Sequence, residues 1–214
     1  MDKDTFLERS RMVTEQIARR GLRDPRLLAA MEAVPRHCFV RDEDLAWAYA
    51  DGPLPIGYGQ TISQPYIVAL MTDMLELQGG EKVLEVGTGS GYQAAVLAQL
   101  AGSVHTVEII SELAVRAGEV IDSLGYKNVM IHSGDGSLGW EEDAPYQGIL
   151  VAAAAPDVPR PLLDQLADGG RLVLPIGRQH GIQRLETWRR TGSKFNHEAG
   201  IAVAFVPLRG EHGW

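Results

Sequence analysis

Val83-Leu84-Glu85-Val86-Gly87-Thr88-Gly89-Ser90-Gly91-Tyr92 is the stretch on which the fold turns. An apolar run carrying one carboxylate enters a glycine-rich turn, and a helix-forming segment, Tyr92–Leu100, follows. Glycines accept positive φ and let the backbone approach a ligand closely. In open α/β sheets, ligands sit beyond the carboxyl ends of the strands, near the point where strand order reverses. The spacing narrows the ligand. A dinucleotide turn has the form G-x-G-x-x-G and places pyrophosphate on the helix N-terminus. Here the form is G-x-G-x-G with Glu85 beside it. A carboxylate suits positive groups better than pyrophosphate, and the ammonium and sulfonium of S-adenosylmethionine are such groups.

Working outward, short β-rich runs alternate with helical stretches: 82–86, 92–100, 104–107, 112–124, 129–132, 148–151, 161–166 and 171–174. That rhythm predicts an α/β fold with a mostly parallel sheet and helices on both faces. Beyond Gly181, residues 182–188 and 201–206 read as two closing antiparallel strands, with 189–196 as a polar turn. Glu108 follows the second of the parallel strands, 21 residues after Gly87, where a carboxylate can accept from ribose hydroxyls. Asp135 follows the third, placed to accept from an adenine amino group; the bland reading is an N-cap. Three acids after three consecutive strands make Glu85, Gly87, Thr88, Gly89, Ser90 and Gly91, together with Glu108, Ile109, Asp135 and Gly136, the candidate cofactor residues.

Toward the N-terminus, Phe6, Leu7, Val13 and Ile17 form a helical stripe ending at Gly21, and Asp24-Pro25 opens a second helix that stops at Val34-Pro35. From Ala50 to Pro65 turn formers dominate, which predicts an irregular loop packed through Leu54, Ile56 and Tyr58. A helix follows, from about Pro65 to Leu77. We expect one domain over 1–214, with 1–77 holding the N-terminal helices and the loop and 78–214 the sheet.

With 214 residues, 45% hydrophobic, 22% charged and net charge −8, the composition is that of a globular chain and disfavours a nucleic-acid partner. The lone cysteine, Cys38, reads as a buried structural thiol. No signal peptide or membrane span is visible, so a cytoplasmic location without membrane attachment is expected, and the chain is expected to be a monomer. His37, His132 and His180 show no ligand spacing, and no metal is expected. Trp47 and Trp140 read as packing groups.

The loop Leu54-Pro-Ile-Gly57-Tyr-Gly59-Gln60-Thr61-Ile62-Ser63-Gln64-Pro65 resembles the signature of the protein-L-isoaspartate O-methyltransferases. Val34-Pro-Arg36, Val83–Tyr92, Gly134-Asp135-Gly136, Ala152–Pro156, Gly169–Gly177 and Phe205–Leu208 agree with that family in order along the chain. The resemblance implies a Rossmann-like class I methyltransferase with a seven-stranded, mostly parallel sheet, and S-adenosylmethionine as methyl donor leaving S-adenosylhomocysteine. It implies methylation of the α-carboxyl of L-isoaspartyl residues in damaged proteins and peptides, the first step of repair through a succinimide. Ser63 then stands as the active-site serine, with Gln60, Thr61 and Ile62 lining the cleft beside it. An acceptor carboxylate of pKa about 4 is already ionised at neutral pH, so transfer requires positioning and dryness but no general base. Gln147 and Arg209 depart from the family pattern; Gln147 reads as structural, and Arg209 bears on peptide preference if it borders the substrate mouth. The competing readings are a same-fold enzyme acting on RNA or a small molecule, and a non-catalytic adapter that holds cofactor and peptide. A nicotinamide dehydrogenase is disfavoured by the glycine spacing.

Overall fold

The computed structural model describes residues 3–179 and 181–214; His180 lies outside the described residues. Helix α1 (Lys3–Met12) runs into a π-turn (Val13–Ile17) and a 3-10 turn (Ala18–Arg20), and ends at Gly21 in a left-handed cap with φ +101°. Helix α2 (Pro25–Ala33) begins as the sequence dictates. The Asp24 carboxylate accepts from the Arg26 N–H at 2.8 Å, and Pro25 occupies the first turn, where its missing N–H costs nothing. The stripe expected on the first helix is half right. Val13 and Ile17 are buried with Arg9 and Met12, but Phe6 and Leu7 are exposed. The π-turn shifts the helical phase, so a constant period carries the stripe off the buried face.

The expected irregular loop is in fact a hairpin of β1 (Leu54–Gly57) and β2 (Gln60–Ile62), paired antiparallel. Its turn residues, Tyr58 and Gly59, both have positive φ (54° and 72°), the backbone of tight hairpin turns. Ile56 is buried and Leu54 half-buried, whereas Tyr58 at the tip is exposed, contrary to the packed role expected of it. Asp51 ties the hairpin's base down. It accepts from Gln64 Nε2 at 2.7 Å and pairs with Arg20. Helix α3 (Pro65–Met74) leads away from the hairpin.

The sheet core consists of β3 (Lys82–Val86), α4 (Tyr92–Ala98), β4 (Ser103–Glu108), α5 (Ser111–Ser123), β5 (Val129–Ser133), β6 (Tyr146–Val151), α6 (Arg160–Asp164) and β7 (Leu166–Gly177), closed by β8 (Gln183–Thr191) and β9 (Lys194–Val203). Strand order is β5-β4-β3-β6-β7-β8-β9, parallel through β7 and antiparallel beyond it. Order reverses between β3 and β6, so the topological switch point lies beside the glycine turn. The polar turn expected over 189–196 is not one. β8 and β9 run through it and turn at Gly192 (φ 58°) and Ser193, with Thr191 opposite Lys194. Both strands are polar there because β9 is an exposed edge, so neither carries the apolar period that marks a buried strand.

Met12, Ile17, Leu27, Met31, Ile56 and Ile62 pack in one buried cluster with Tyr92, Val96, Leu113 and Ile121, which joins the N-terminal helices and the hairpin to α4 and α5. Among the described residues no helix is long and apolar enough to cross a membrane. Two minor expectations fail. Cys38 is exposed, because in the 3-10 turn Arg36–Phe39 the inward positions, three residues apart, go to Arg36 and Phe39. Trp47 is also exposed at 63%, whereas Trp140 packs against the sheet.

Candidate cofactor and acceptor site

At the carboxyl ends of β3 and β4 a cleft opens to solvent. Its floor is the glycine turn. Gly87 (φ 91°) takes its N–H to the Val107 carbonyl at 2.8 Å, which lashes the turn to β4. A side chain on Gly136 would lie 2.6 Å from Val86 Cγ1, so only glycine lets the loop after β5 close over the end of β3.

Two carboxylates face this space. Glu108 is buried, and its oxygens accept from the Gly89 N–H at 2.8 Å and the Ile110 N–H at 2.9 Å. Each carboxylate oxygen carries two lone pairs, so each keeps one for a ligand hydroxyl. Glu85 is fully buried. Its Oε2 accepts from Thr106 Oγ1 at 2.6 Å, the Thr106 hydroxyl lies 2.7 Å from that of Thr88, and Oε1 has no partner. Burial pushes the Glu85 carboxyl up to about 8, with the Thr106 hydrogen bond opposing and the charge of Glu108 adding to the rise. A buried acid with an orphaned oxygen at the cleft wall is a group that a positively charged ligand satisfies, and it fits the donor expected from the sequence.

The hairpin and the segment behind it supply the opposite wall: Gln60, Thr61, Ile62 and Ser63 all border the cleft. Gln64 is the N-cap of α3, and no side chain caps that helix, so the Ser63 hydroxyl is not spent on capping. A second, open groove running past Pro53, Ile67, Ile182, Val203 and Phe205 meets the first at Thr61, Ser63, Ala152 and Val206. Ser63 therefore stands at the junction of two hollows.

Of the residues expected from the sequence, Glu85, Gly87, Thr88, Gly89, Ser90, Glu108, Ile109 and Gly136 share the cleft with the hairpin set. Gly91 and Asp135 do not line it. Gly91 faces Ala117, Ile121 and Phe39, with a left-handed φ of 88° at the start of α4. Asp135 is held by contacts within the chain. It caps the turn Gly136–Leu138 through Ser137 N at 2.9 Å, accepts from Ser137 Oγ at 2.7 Å, and holds the C-terminal segment through Glu211 N at 2.7 Å. Burial alone raises its pKa, but those hydrogen bonds outweigh it and hold the carboxyl below its ordinary value. Sequence reasoning missed the cleft wall formed by Val68, Met71 and Gln93, and the groove residues Ile182, Val203 and Phe205. Phe205 opens a stretch that resembles the family's closing strand; the others sit in no motif and converge only through the fold. Arg209 borders the first cleft and not the second groove. Gln147 is structural: its Oε1 accepts from the Lys82 N–H at 2.8 Å, at the opposite end of β3.

This sheet order, with a glycine turn after the central strand and acids at the strand ends, defines a class I S-adenosylmethionine-dependent methyltransferase fold. The profile of the protein-L-isoaspartate(D-aspartate) O-methyltransferase family matches residues 7–213, and the chain belongs to that family. A protein-L-isoaspartate O-methyltransferase of Trichlorobacter lovleyi is 53% identical over 208 residues, covering 97% of this chain and 96% of its own. One from Picosynechococcus is 55% identical over 206 residues, covering 96% and 92%. Among solved structures, a protein-L-isoaspartate O-methyltransferase superposes with TM-score 0.88 at 27% identity, covering 96% of this chain and 67% of that one. A Plasmodium falciparum protein described as a putative member, in complex with S-adenosyl-L-homocysteine, gives 0.80 at 26% identity, covering 94% and 98%.

Proposed function

We propose that the chain methylates the α-carboxyl of L-isoaspartyl residues in damaged proteins and peptides, using S-adenosylmethionine, and so initiates their repair. One observation carries this reading within the family: Ser63 stands where the cofactor cleft and the second groove meet. S-adenosylmethionine supplies a methyl group on a positively charged sulfur. Glu108 would hold ribose hydroxyls with its remaining lone pairs, and Glu85 would answer the donor's positive charge with its free Oε1. The acceptor carboxylate needs no base. What the protein contributes is alignment and exclusion of water, worth several powers of ten when reacting atoms are held in line.

In this reading Ser63 donates its hydroxyl to one oxygen of the acceptor carboxylate and leaves the other free to attack. The second groove, lined largely by apolar side chains and strand β9, holds the flanking peptide in an extended form. The hairpin of β1 and β2 closes the reacting ends from water. The chain acts as one unit, a cytoplasmic monomer whose residues 1–77 cover the site built by 78–214. Arg209, at the rim of the cofactor cleft, draws in substrates with acidic residues near the isoaspartate.

The test follows the peptide itself. An isoaspartyl peptide incubated with the chain and S-adenosylmethionine, then resolved by chromatography, should yield succinimide and afterwards the normal aspartyl form. A peptide that stays wholly isoaspartyl contradicts the proposal.

A further inference from the structure

The fold brings together three side chains that lie far apart in the sequence. His105 is in β4, His132 in β5 and Asp143 in the turn before β6. His105 Nδ1 lies 3.1 Å from His132 Nε2 and 3.2 Å from Asp143 Oδ2. The three ligand atoms all fall within 4.8 Å of one another. Because strand side chains alternate, His105 points to the face opposite Thr106 and Glu85, so the cluster is separate from the cofactor cleft.

A surrounding layer holds these groups in place. Trp140 Nε1 donates to Asp143 Oδ2 at 3.2 Å, and its indole stacks on the His132 ring with centroids 4.0 Å apart. Lys82 Nζ donates to the Asp143 carbonyl at 2.6 Å, and the Tyr146 ring meets His105 edge-on at 5.8 Å. Ligating groups oriented by outer hydrogen bonds are characteristic of metal sites. The Asp143 side chain is 41% exposed, which gives a path from solvent, while His105 is almost closed off at 7%.

We propose that His105, His132 and Asp143 bind a divalent transition-metal cation of the zinc, cobalt or nickel type. Two imidazoles and one carboxylate match the preference of those ions and not that of calcium, which takes 6–8 oxygens. Two nitrogens 3.1 Å apart, each about 2.1 Å from an ion, subtend roughly 95° at it; the rings lie near parallel (7°) with centroids 5.4 Å apart, so the nitrogens face each other and each ring turns by about 40° to aim its lone pair at the ion. The ion replaces the proton that otherwise bridges the two rings, and water fills the remaining positions. It staples β4 and β5 to the Glu141–Asp143 turn, at the far end of the segment that starts with Gly136 in the cleft.

The experiment is a titration of untagged, chelator-treated chain with Co²⁺ and with Zn²⁺, followed by visible absorption, tryptophan emission and thermal melting. The proposal expects one equivalent of Co²⁺ with ligand-field bands, a change in tryptophan emission that Trp140→Phe removes, and a melting temperature raised by Zn²⁺. It expects Asp143→Asn and His132→Gln each to weaken binding by more than the roughly tenfold that losing an outer partner costs. Absence of saturable binding by the wild-type chain overturns it. So does undiminished binding in Asp143→Asn, a change at a half-exposed position that keeps size and shape; the ion would then sit elsewhere, for example at His197 or His212.

Discussion

The Thr106 hydroxyl donates to Glu85 Oε2 at 2.6 Å, across the parallel pair β3–β4, and leaves Oε1 of the same carboxylate buried without a partner. A half-satisfied acid in a dry wall is costly for an empty protein, and its cost depends on pH. The folded-state value of Glu85 is near 8 against an ordinary 4.5, because burial disfavours the charge. Between those values the folded chain holds a proton that the unfolded chain has released, so Glu85 lowers stability as pH rises from 4.5 toward 8. Glu85→Gln should remove that contribution. Urea denaturation of both proteins at several pH values reads it directly. The variant's advantage should grow with pH across this window, and parallel profiles would show that the group is ionised throughout.

Glu108→Ala should weaken S-adenosylhomocysteine binding by at least about tenfold, since a hydrogen bond to a charged group contributes roughly 1.5–3 kcal/mol. It also frees the Gly89 and Ile110 N–H groups, so a drop in melting temperature should accompany the loss. Calorimetry on the variant checks the first expectation. Binding at wild-type strength would remove Glu108 from the site.

Ser63→Ala should lower kcat by about 10- to 100-fold, the loss of one hydrogen bond to a charged acceptor, while the cofactor Kd stays within about twofold. The split between turnover and cofactor affinity is what matters. Loss of cofactor binding in this variant would assign Ser63 to the wrong hollow.

Gly210→Ala should destabilise the C-terminal latch. Gly210 sits at φ 127°, and a Cβ there would lie 1.9 Å from Asp135 Oδ1. Positive-φ strain alone costs on the order of 1–3 kcal/mol, and the overlap adds to it. Thermal denaturation should show a clear fall, larger than for Gly52→Ala, where a Cβ meets nothing within 4 Å.

How much of this was legible in the chain depends on what each signal requires. The glycine turn and the strands 82–86, 104–107 and 129–132 announce themselves because each is a short run rich in β-branched and apolar residues bounded by turn formers, and β3, β4 and β5 fall there. The hairpin at 54–62 was hidden because its strands are too short to show a period, and β9 because an exposed edge has no apolar face to show. Asp135 reads two ways for another reason. An acid after a strand reads the same whether it faces a ligand or caps its own turn, and its contact with Glu211 comes from far along the chain. The same holds for His105, His132 and Asp143, whose spacing means nothing until β4 and β5 pair. Local chemistry was readable; convergence of distant segments was not.

The central claim is tested most directly by methyl transfer from radiolabelled S-adenosylmethionine to two peptides that differ at one residue, L-isoaspartate in one and L-aspartate in the other. The account predicts base-labile label on the isoaspartyl peptide alone. Equal labelling of both, or none on either while calorimetry shows the cofactor bound, would contradict it.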